Sequence, residues 1–287
     1  MSDAELGFGE VHGYGERLAE LVAARGPLCA GIDPHPALLT QWGLPVDAAG
    51  LERCARTMVD TLGDLVPVFK PQSAFYELHG AKGIAVLERV LGDIRSAGAL
   101  ALLDVKRGDI GSTMDAYAAA YLADGAPLAA DAITVVPYLG FGSLDGTIAL
   151  AQQNGRGVYV LALTSNPEGQ QVQHARAASG RLVAEEIVAA AEAANAGRTH
   201  GDVGLVVGAT VGRTGVDLSR VHGSLLAPGI GAQGATARDL ATVFGDALPY
   251  VLPSTSRELM AAGPDPVRIR TKAEQMLAQM RATLPVG

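Results

Sequence analysis

Residues 99–113 read Ala-Leu-Ala-Leu-Leu-Asp-Val-Lys-Arg-Gly-Asp-Ile-Gly-Ser-Thr, an apolar run that ends in charged side chains. Asp104 and Lys106 are two positions apart, so on a β-strand both side chains would point to the same side. Burying such charges is costly unless they pair, and here Asp104 and Asp109 flank a single ammonium. The stretch therefore predicts a strand whose end holds a protonated lysine beside a negatively charged substrate.

The same unit, a short apolar run followed by a longer helical pattern, repeats along the chain. The runs are continuous rather than alternating, as expected for strands that are buried on both faces. Eight of them are predicted as strands: Pro27–Asp33, Leu65–Lys70, Ala99–Val105, Ala132–Val136, Gly157–Leu163, Val203–Val207, Leu225–Ala227 and Leu248–Pro253. The helical patterns cover Ala48–Leu62, Phe75–Ala97, Ser112–Ala123, Ser143–Gln153, Arg176–Ala196, Arg213–Ser219, Ala235–Phe244 and Val267–Ala282.

Strict alternation of strands and helices implies parallel strands joined by crossovers. Eight such units in 287 residues describe an α/β fold, the (β/α)8 or TIM barrel, which typically takes about 250 residues. A doubly wound open sheet is the alternative, but the number of units and the polar strand ends favour the barrel. We expect residues 1–287 to form a single barrel domain with a leader helix over Tyr14–Arg25.

The composition narrows the class of protein. Hydrophobic residues make up 48% of the chain, enough for a sizeable core, and a net charge of −8 argues against a general nucleic-acid binder. Cys29 and Cys54 lack metal-ligand spacing and sit in apolar surroundings, as expected for reduced core thiols. Residues 1–10 lack the apolar segment of a signal peptide, and no run is long enough to span a membrane. We therefore expect a cytoplasmic protein.

Polar side chains follow several of the predicted strands, at the end where the active site of a barrel lies. Asp33 ends the first strand, Lys70 ends the second and Ser165 follows the fifth. Asp33 and Ser165 also suit turns, and Lys70 could simply extend to solvent, so none of the three identifies a site alone. Arg107 should point away from Lys106 and have a structural or solvated role.

The helix after the third strand is predicted to begin near Ser112. Ser112 and Asp115 match a helix-capping pair, in which a hydroxyl and a carboxylate satisfy the first free N–H groups. Thr113 lies in the first turn of this helix and is left free for another task.

The glycine-rich segment Gly229–Gly234 follows the seventh strand and precedes a predicted helix. Glycines let the backbone approach an anion, and the free N–H groups of the helix start attract negative charge. Arg257 follows the eighth strand, and its forked guanidinium could bind the same anion. Because barrel phosphate sites often use the loops after strands seven and eight, the pattern predicts a phosphate site here.

Together these segments resemble the orotidine 5′-phosphate decarboxylases, which make UMP in pyrimidine synthesis, and in particular the longer bacterial branch of that family. The likeness spans nearly the whole predicted barrel. The Asp-x-Lys-x-x-Asp pattern is strong in this context, although sugar-phosphate enzymes on related barrels share it. The matching pieces are Asp33, Phe69-Lys70-Pro71, Asp104–Ile110, Ser165-Asn166-Pro167, Gly229–Gly234 and Arg257.

The resemblance implies a role for each matching residue in the decarboxylation of orotidine 5′-monophosphate. Lys106 would give a proton to C6 of the pyrimidine as carbon dioxide leaves, with Asp104 beside the substrate carboxylate. Asp109 and Thr113 would reach the neighbouring subunit's site in a homodimer. Lys70 would belong to the same charged catalytic row and, with Asp33, bind the ribose hydroxyls. The other implied contacts are the base for Ser165, base and phosphate for Gln233, and phosphate for Gly234 and Arg257.

Loss of carbon dioxide from a ring carbon leaves an electron pair with no adjacent sink, a task for which enzymes normally use a cofactor. The sequence carries no metal-ligand spacing and no dinucleotide motif, so this interpretation implies cofactor-free catalysis by fixed charges. Three alternatives remain. They are a magnesium-dependent sugar-phosphate lyase with Asp104 as a ligand, a Schiff-base aldolase with Lys106 as the nucleophile, and a non-catalytic barrel that binds nucleotide phosphates.

Overall fold

The computed structural model describes residues 12–212, 214–229 and 237–284. Within these ranges eight parallel strands hydrogen-bond in chain order, and the last pairs with the first, so the sheet closes into a barrel. The predicted (β/α)8 fold is confirmed. The strands are β1 (Cys29–Ile32), β2 (Val68–Pro71), β3 (Leu100–Arg107), β4 (Ala132–Val135), β5 (Gly157–Leu163), β6 (Gly201–Val207), β7 (Gly223–Pro228) and β8 (Val251–Thr255).

Helices follow the strands and pack against the outer face of the sheet, except between β6 and β7, where residues 208–212 and 214–222 form no helix. No helix in the described ranges combines the length and apolar content needed to cross a membrane. The helices are α1 (Tyr14–Arg25), α2 (Pro36–Gln41), α3 (Ala48–Leu62), α4 (Ser73–Glu77), α5 (Gly80–Ser96), α6 (Gly111–Leu122), α7 (Asp145–Gln153), α8 (Gln170–Gln173), α9 (Val183–Ala194), α10 (Ala237–Phe244), α11 (Arg257–Met260) and α12 (Pro266–Arg281).

Successive strand residues face alternately the barrel interior and the surrounding helices. Leu100 and Leu102 of β3 belong to the interior cluster, whereas Ala101 and Leu103 pack with the helices. Both faces are therefore apolar, which explains why the strand runs in the sequence are continuous. Asp104 takes the next inward position after Leu102, so the charged site lies on top of an apolar interior.

The leader helix α1 closes the N-terminal end of the barrel. It spans the predicted range Tyr14–Arg25, and Tyr14 joins the interior cluster. The hydroxyls of Tyr14 and Tyr159 lie 3.0 Å apart, and the Gly15 N–H donates to Asp202 Oδ1 over 3.0 Å. The open end of the barrel is thus the opposite one, where the strands finish.

The predicted helix over Arg213–Ser219 is wrong for the described residues 214–219, which form turns. Gly215 has φ +68°, a left-handed value that interrupts a helix. The carboxylate of Asp217 accepts the N–H of Ser219 over 2.9 Å. Such local side-chain bonds to the backbone compete with helical hydrogen bonds.

Two other predicted helices are shorter or divided. The pattern over Phe75–Ala97 forms two helices, α4 and α5, separated where Gly80 takes φ +58°. The long helix predicted over Arg176–Ala196 starts only with α9, because Gly180 at φ +83° lies in a reverse turn before it. Strand β8 begins later than predicted, after a 3-10 turn that contains a proline.

Candidate active site

The open end of the barrel brings three charged side chains into direct contact, and we call Lys70, Asp104 and Lys106 the ion cluster. Lys106 Nζ lies 2.5 Å from Asp104 Oδ1, and Lys70 Nζ lies 3.0 Å from Asp104 Oδ2. Lys70 and Asp104 are buried, at 6% and 7% exposed. The Lys106 side chain is 44% exposed, so it is the most accessible member of the cluster.

Electrostatics keep the buried part of the ion cluster charged. Burial favours the neutral amine of Lys70, but the carboxylates of Asp104 and Asp33 outweigh it and raise its pKa. Burial also opposes the charge on Asp104, yet Lys70, Lys106 and a hydrogen bond from Thr134 lower its pKa to about 2. Both groups are therefore ionised at neutral pH.

Asp33 follows β1 and lies beside the ion cluster. Its Oδ1 is buried and has no hydrogen-bond partner within the described part of the chain. Its charge adds to that of Asp104 in raising the pKa of Lys70. A buried carboxylate oxygen without a donor is costly, which marks Asp33 as a group that a bound hydroxyl could satisfy.

The end of β3 is irregular at the position that carries Lys106. Its pairing with β4 runs from Leu103 opposite Ile133 to Arg107 opposite Val135, so β3 contains extra residues in a β-bulge. Lys106 has φ +46°, an uncommon value for a residue with a side chain. Backbone of this kind persists only where its surroundings hold it in place.

Thr134 of β4 holds this bulge on the inner side, and the sequence analysis missed it. Its Oγ1 accepts the Lys106 N–H over 3.0 Å and donates to Asp104 Oδ1 over 2.8 Å. Thr134 is 1% exposed and takes the next inward position after Ala132. The sequence feature that indicates Thr134 is a hydroxyl at an inward-facing position of an otherwise apolar strand.

Arg107 holds the same bulge on the outer side. Its guanidinium donates to the Val105 carbonyl over 3.1 Å and to Glu77 Oε1 over 2.7 Å. It also lies over the rings of Tyr117 and Tyr121, at 5.4 and 5.9 Å from their centroids. These contacts place Arg107 on the helix side of the sheet, in a structural role.

A cavity of about 140 Å³ opens above the ion cluster. Leu161, Val206 and Leu226 give it an apolar wall opposite the charges. Ser165, on the exposed segment after β5, and Pro228, the last residue of β7, also line it. The predicted site residues of strands two, three and five thus face one space, which offers charge on one side and an apolar surface on the other.

Asp109 and Thr113 do not join the ion cluster within this chain. Asp109 is half-buried, and its Oδ1 accepts the N–H of Ile110 over 2.8 Å, while Thr113 is exposed on α6. The capping role predicted for Ser112 is wrong, because α6 begins at Gly111 and no side chain caps it. The glycine starts the helix one residue earlier, which moves Ser112 inside the first turn.

The residues predicted to bind phosphate are only partly described. Arg257 is exposed at the start of α11, directly after β8 and Ser256. Gly229 follows Pro228 with φ +105°, which only glycine adopts readily. Gln233 and Gly234 lie outside the described residues, as does most of the segment Gly229–Gly234.

Metal-binding side chains are not grouped in the part of the chain that the structure covers. There, no three His, Cys, Asp or Glu side chains are placed so that they could hold a metal ion together. Glu77, the acidic residue that follows β2 most closely, is bonded to Ser73 and Arg107 instead.

Comparisons with known proteins find relatives along nearly the whole chain. The profile of the Orotidine 5′-phosphate decarboxylase / HUMPS family matches residues 26–268. Proteins named orotidine 5′-phosphate decarboxylase from Salinispora tropica and Streptomyces coelicolor are 59% and 52% identical, each over 94% of this chain and 98% of its own. A crystal structure assigned to that enzyme in Streptomyces avermitilis has a TM-score of 0.93 at 51% identity, and the match covers 98% of this chain and 99% of that one.

Proposed function

The chain belongs to the orotidine 5′-phosphate decarboxylase / HUMPS family, and from this premise we propose that it converts orotidine 5′-monophosphate to UMP, with Lys106 as the proton donor. The observation that carries the proposal is the ion cluster, which sets an accessible amine beside a buried, ionised carboxylate at the mouth of the barrel. No cofactor takes part in the proposed reaction.

The proposed chemistry uses the Lys106 ammonium twice. When the bond between C6 and the substrate carboxylate breaks, its electron pair stays on C6, where the ring offers no adjacent sink. An ammonium fixed next to C6 stabilises that charge as it develops. One N–H proton of Lys106 then moves to C6, and the amine is protonated again from solvent at the open mouth of the barrel.

Asp104 acts in this scheme by position and charge. Its two oxygens hold Lys70 and Lys106 at 3.0 and 2.5 Å, which keeps both amines pointed toward the cavity. In the complex it would lie beside the substrate carboxylate. Two like charges there repel each other in the ground state, and departure of carbon dioxide relieves the repulsion.

The remaining site residues bind parts of the substrate that do not react. Binding energy from the ribose and phosphate helps to orient the pyrimidine against Lys106. The unpartnered Asp33 Oδ1 suits a ribose hydroxyl, and the exposed Arg257 suits a phosphate. We assign Asp33 and Lys70 to the ribose hydroxyls, Ser165 to the base, Gln233 to base and phosphate, and Gly234 and Arg257 to the phosphate.

We further propose that the protein acts as a homodimer in which Asp109 and Thr113 reach the neighbouring subunit's site. Both lie in the segment after β3, next to Ile110, whose side chain is 61% exposed. Tyr138 and Leu139, in the loop after the adjacent strand β4, are also exposed. A second copy of the chain would cover these apolar side chains and bring Asp109 close to Lys106.

The thiols support a reducing compartment, so we place the protein in the cytoplasm. Cys29 and Cys54 are free and buried. Burial raises the pKa of each thiol to about 12, which keeps both protonated and unreactive.

The alternatives fit the geometry less well. A magnesium-dependent sugar-phosphate lyase would need a further acidic ligand at the end of β2, where Lys70 stands. A Schiff-base aldolase would use Lys106 as the nucleophile, whereas its Nζ already donates to the Asp104 carboxylate over 2.5 Å. A non-catalytic phosphate binder has no use for the ion cluster.

The direct test is turnover of orotidine 5′-monophosphate by the purified chain, followed by its absorbance and by released carbon dioxide. We expect one carbon dioxide per UMP formed, at the same rate with and without a chelator. Loss of activity with the chelator would favour the lyase, and reductive trapping by borohydride would favour the aldolase. Binding of UMP without any turnover would favour the phosphate binder.

A further inference from the structure

Thr134 occupies a place in the site that none of the roles above explains. It is buried at the end of β4 and bonded to both Asp104 and the backbone of Lys106. The sequence around it, Ala-Ile-Thr-Val-Val, is otherwise apolar. Burying a hydroxyl in an apolar strand costs free energy unless it is hydrogen-bonded. The two hydrogen bonds of Thr134 therefore call for an explanation.

We propose that Thr134 is a positioning residue for the proton donor: its hydroxyl ties the bulged backbone of Lys106 to the carboxylate of Asp104. In this way one side chain sets both the backbone and the charged end of Lys106. The inference rests on the proposed function, in which Lys106 protonates the substrate.

The Thr134 hydroxyl is the hydrogen-bond partner of the Lys106 backbone. Where β3 bulges, the Lys106 N–H donates to the Thr134 hydroxyl rather than to a carbonyl of β4. This bond is partly buried, so an N–H left there without an acceptor is costly, and Lys106 is also held at φ +46°. Without the hydroxyl, the bulge would lose the acceptor that holds it on the inner side.

The two hydrogen bonds of the Thr134 hydroxyl can run in only one direction. An N–H can only donate, and an ionised carboxylate can only accept. The Thr134 hydroxyl must therefore accept from Lys106 and give its single proton to Asp104 Oδ1. The orientation of the Thr134 hydroxyl is therefore fixed by its two partners. The hydroxyl in turn holds the Asp104 carboxylate group in one orientation.

Thr134 also acts on the amine of Lys106 through their shared partner, Asp104. Asp104 Oδ1 receives Thr134 Oγ1 over 2.8 Å and Lys106 Nζ over 2.5 Å. The two donors share one oxygen, so Thr134 limits the directions from which Nζ can approach. Removing the hydroxyl frees both the carboxylate and the amine, and a small displacement of a proton donor is enough to slow its reaction.

The test compares Thr134→Val, which keeps the shape and loses the hydroxyl, with Thr134→Ser, which keeps the hydroxyl. Thr147→Val is the matched control, because Thr147 is also 1% exposed and its Oγ1 has no partner within the described residues. For each variant, kcat, KM, the Kd for UMP and the midpoint of thermal unfolding are measured.

We expect Thr134→Val to lower kcat by about 10- to 100-fold with KM and the UMP Kd within about twofold of wild type. Thr134→Ser should restore most of kcat, and Thr147→Val should match wild type. A kcat for Thr134→Val equal to wild type overturns the inference, and so does an equal loss in Thr134→Ser. A loss of kcat that only follows a loss of folded protein also overturns it. If wild type itself does not turn over orotidine 5′-monophosphate, the proposed function fails instead.

Discussion

At the scale of single residues, the carboxylate of Asp104 balances the charges of the site. Its two oxygens face different amines, Lys70 in the buried interior and Lys106 at the open cavity. Removing one partner of a buried ion pair leaves an uncompensated charge, which costs more than the pair itself contributes. The charge on Asp104 therefore affects both the stability of the protein and the placement of its proton donor.

The free energy of unfolding should depend on pH through Asp104. Its folded pKa of about 2 lies below the ordinary value near 4, so this stabilisation is present above about pH 4 and is lost as the pH falls toward 2. The shift corresponds to roughly 2–3 kcal/mol. This contribution is measured by urea unfolding of wild type and Asp104→Asn at a series of pH values. It is the difference between their two profiles of unfolding free energy against pH.

Asp64→Asn is the matched control for this profile. Asp64 also has a lowered pKa, caused mainly by its hydrogen bond to Arg270, but it is exposed at the protein surface. Its variant should keep nearly all of the wild-type pH dependence. An Asp104→Asn profile parallel to that of wild type would contradict the assignment.

Lys106→Ala should abolish turnover while substrate still binds. Loss of both the charge and the proton at C6 is expected to lower kcat by at least about a thousandfold. The Kd for UMP should change little, because the phosphate and ribose contacts lie elsewhere. Lys82→Ala removes the same charge from an exposed position on α5 and should leave kcat unchanged. Retained turnover in Lys106→Ala would reject the proposed donor.

Single residues differ in how well the sequence predicts them. Spacing of two on a strand predicts that Asp104 and Lys106 lie near each other, and they are in contact, although Lys106 sits in a bulge rather than in regular strand geometry. Thr134 comes from another strand, and its part depends on how β3 and β4 align at the bulge. That alignment is a tertiary property, which a pattern read along one chain segment does not contain.

At the scale of elements, the end of β3 shows how a strand can change the direction of its last side chains. The bulge is held from the interior by Thr134 and from the helix layer by Arg107. Arg107 is in turn fixed by Glu77 at the end of α4. The position of Lys106 thus depends on contacts with the two neighbouring β/α units.

Arg257, at the join of β8 and α11, is predicted to serve the substrate phosphate. Arg257→Ala should raise KM and lower kcat/KM by at least about tenfold, since it removes a charge-assisted contact. With orotidine, which lacks the phosphate, the variant and wild type should have the same kcat/KM. Arg268→Ala, an exposed arginine on α12, is the matched control. An equal loss of kcat/KM with both substrates would contradict the assignment of Arg257 to the phosphate.

The predicted helices are wrong where short polar segments determine the backbone conformation. Helices with long apolar patterns, such as α1 and α3, have the predicted limits. The segment 214–219 is too short for its pattern to outweigh a left-handed glycine and the Asp217 turn. Local hydrogen bonds decide such segments, and they are weakly encoded in hydrophobic periodicity.

At the scale of the whole molecule, the proposed dimer makes each site from two chains. In a dimer made only of Lys106→Ala chains, or only of Asp109→Ala chains, both sites would be inactive, because each site lacks one of the two residues. After subunit exchange, half of the dimers are mixed, and one site in each mixed dimer has both residues. The mixture should therefore regain about a quarter of wild-type turnover.

Activity after mixing, together with sedimentation of each variant, checks this prediction. Lys106→Ala mixed with itself is the control and should regain nothing. No recovery after demonstrated exchange would contradict the shared site. So would wild type that sediments as a monomer while fully active.

The overall architecture was predictable because it repeats. Eight similar units each give the same signal, so errors within one unit do not change the fold. That residues 1–287 form one domain stays a prediction. The phosphate loop also stays a prediction, since Gln233 and Gly234 lie outside the described residues.

The seal that α1 forms across the barrel has a consequence for biosynthesis. Tyr14 and Gly15 bind partners 145 and 187 residues further along the chain. At about 5–20 residues per second, a ribosome needs roughly 10–40 s to deliver Asp202 after Gly15. For that time the contacts that hold the first helix against the barrel are incomplete, so the nascent chain exposes more apolar surface and is more prone to aggregate than the finished protein.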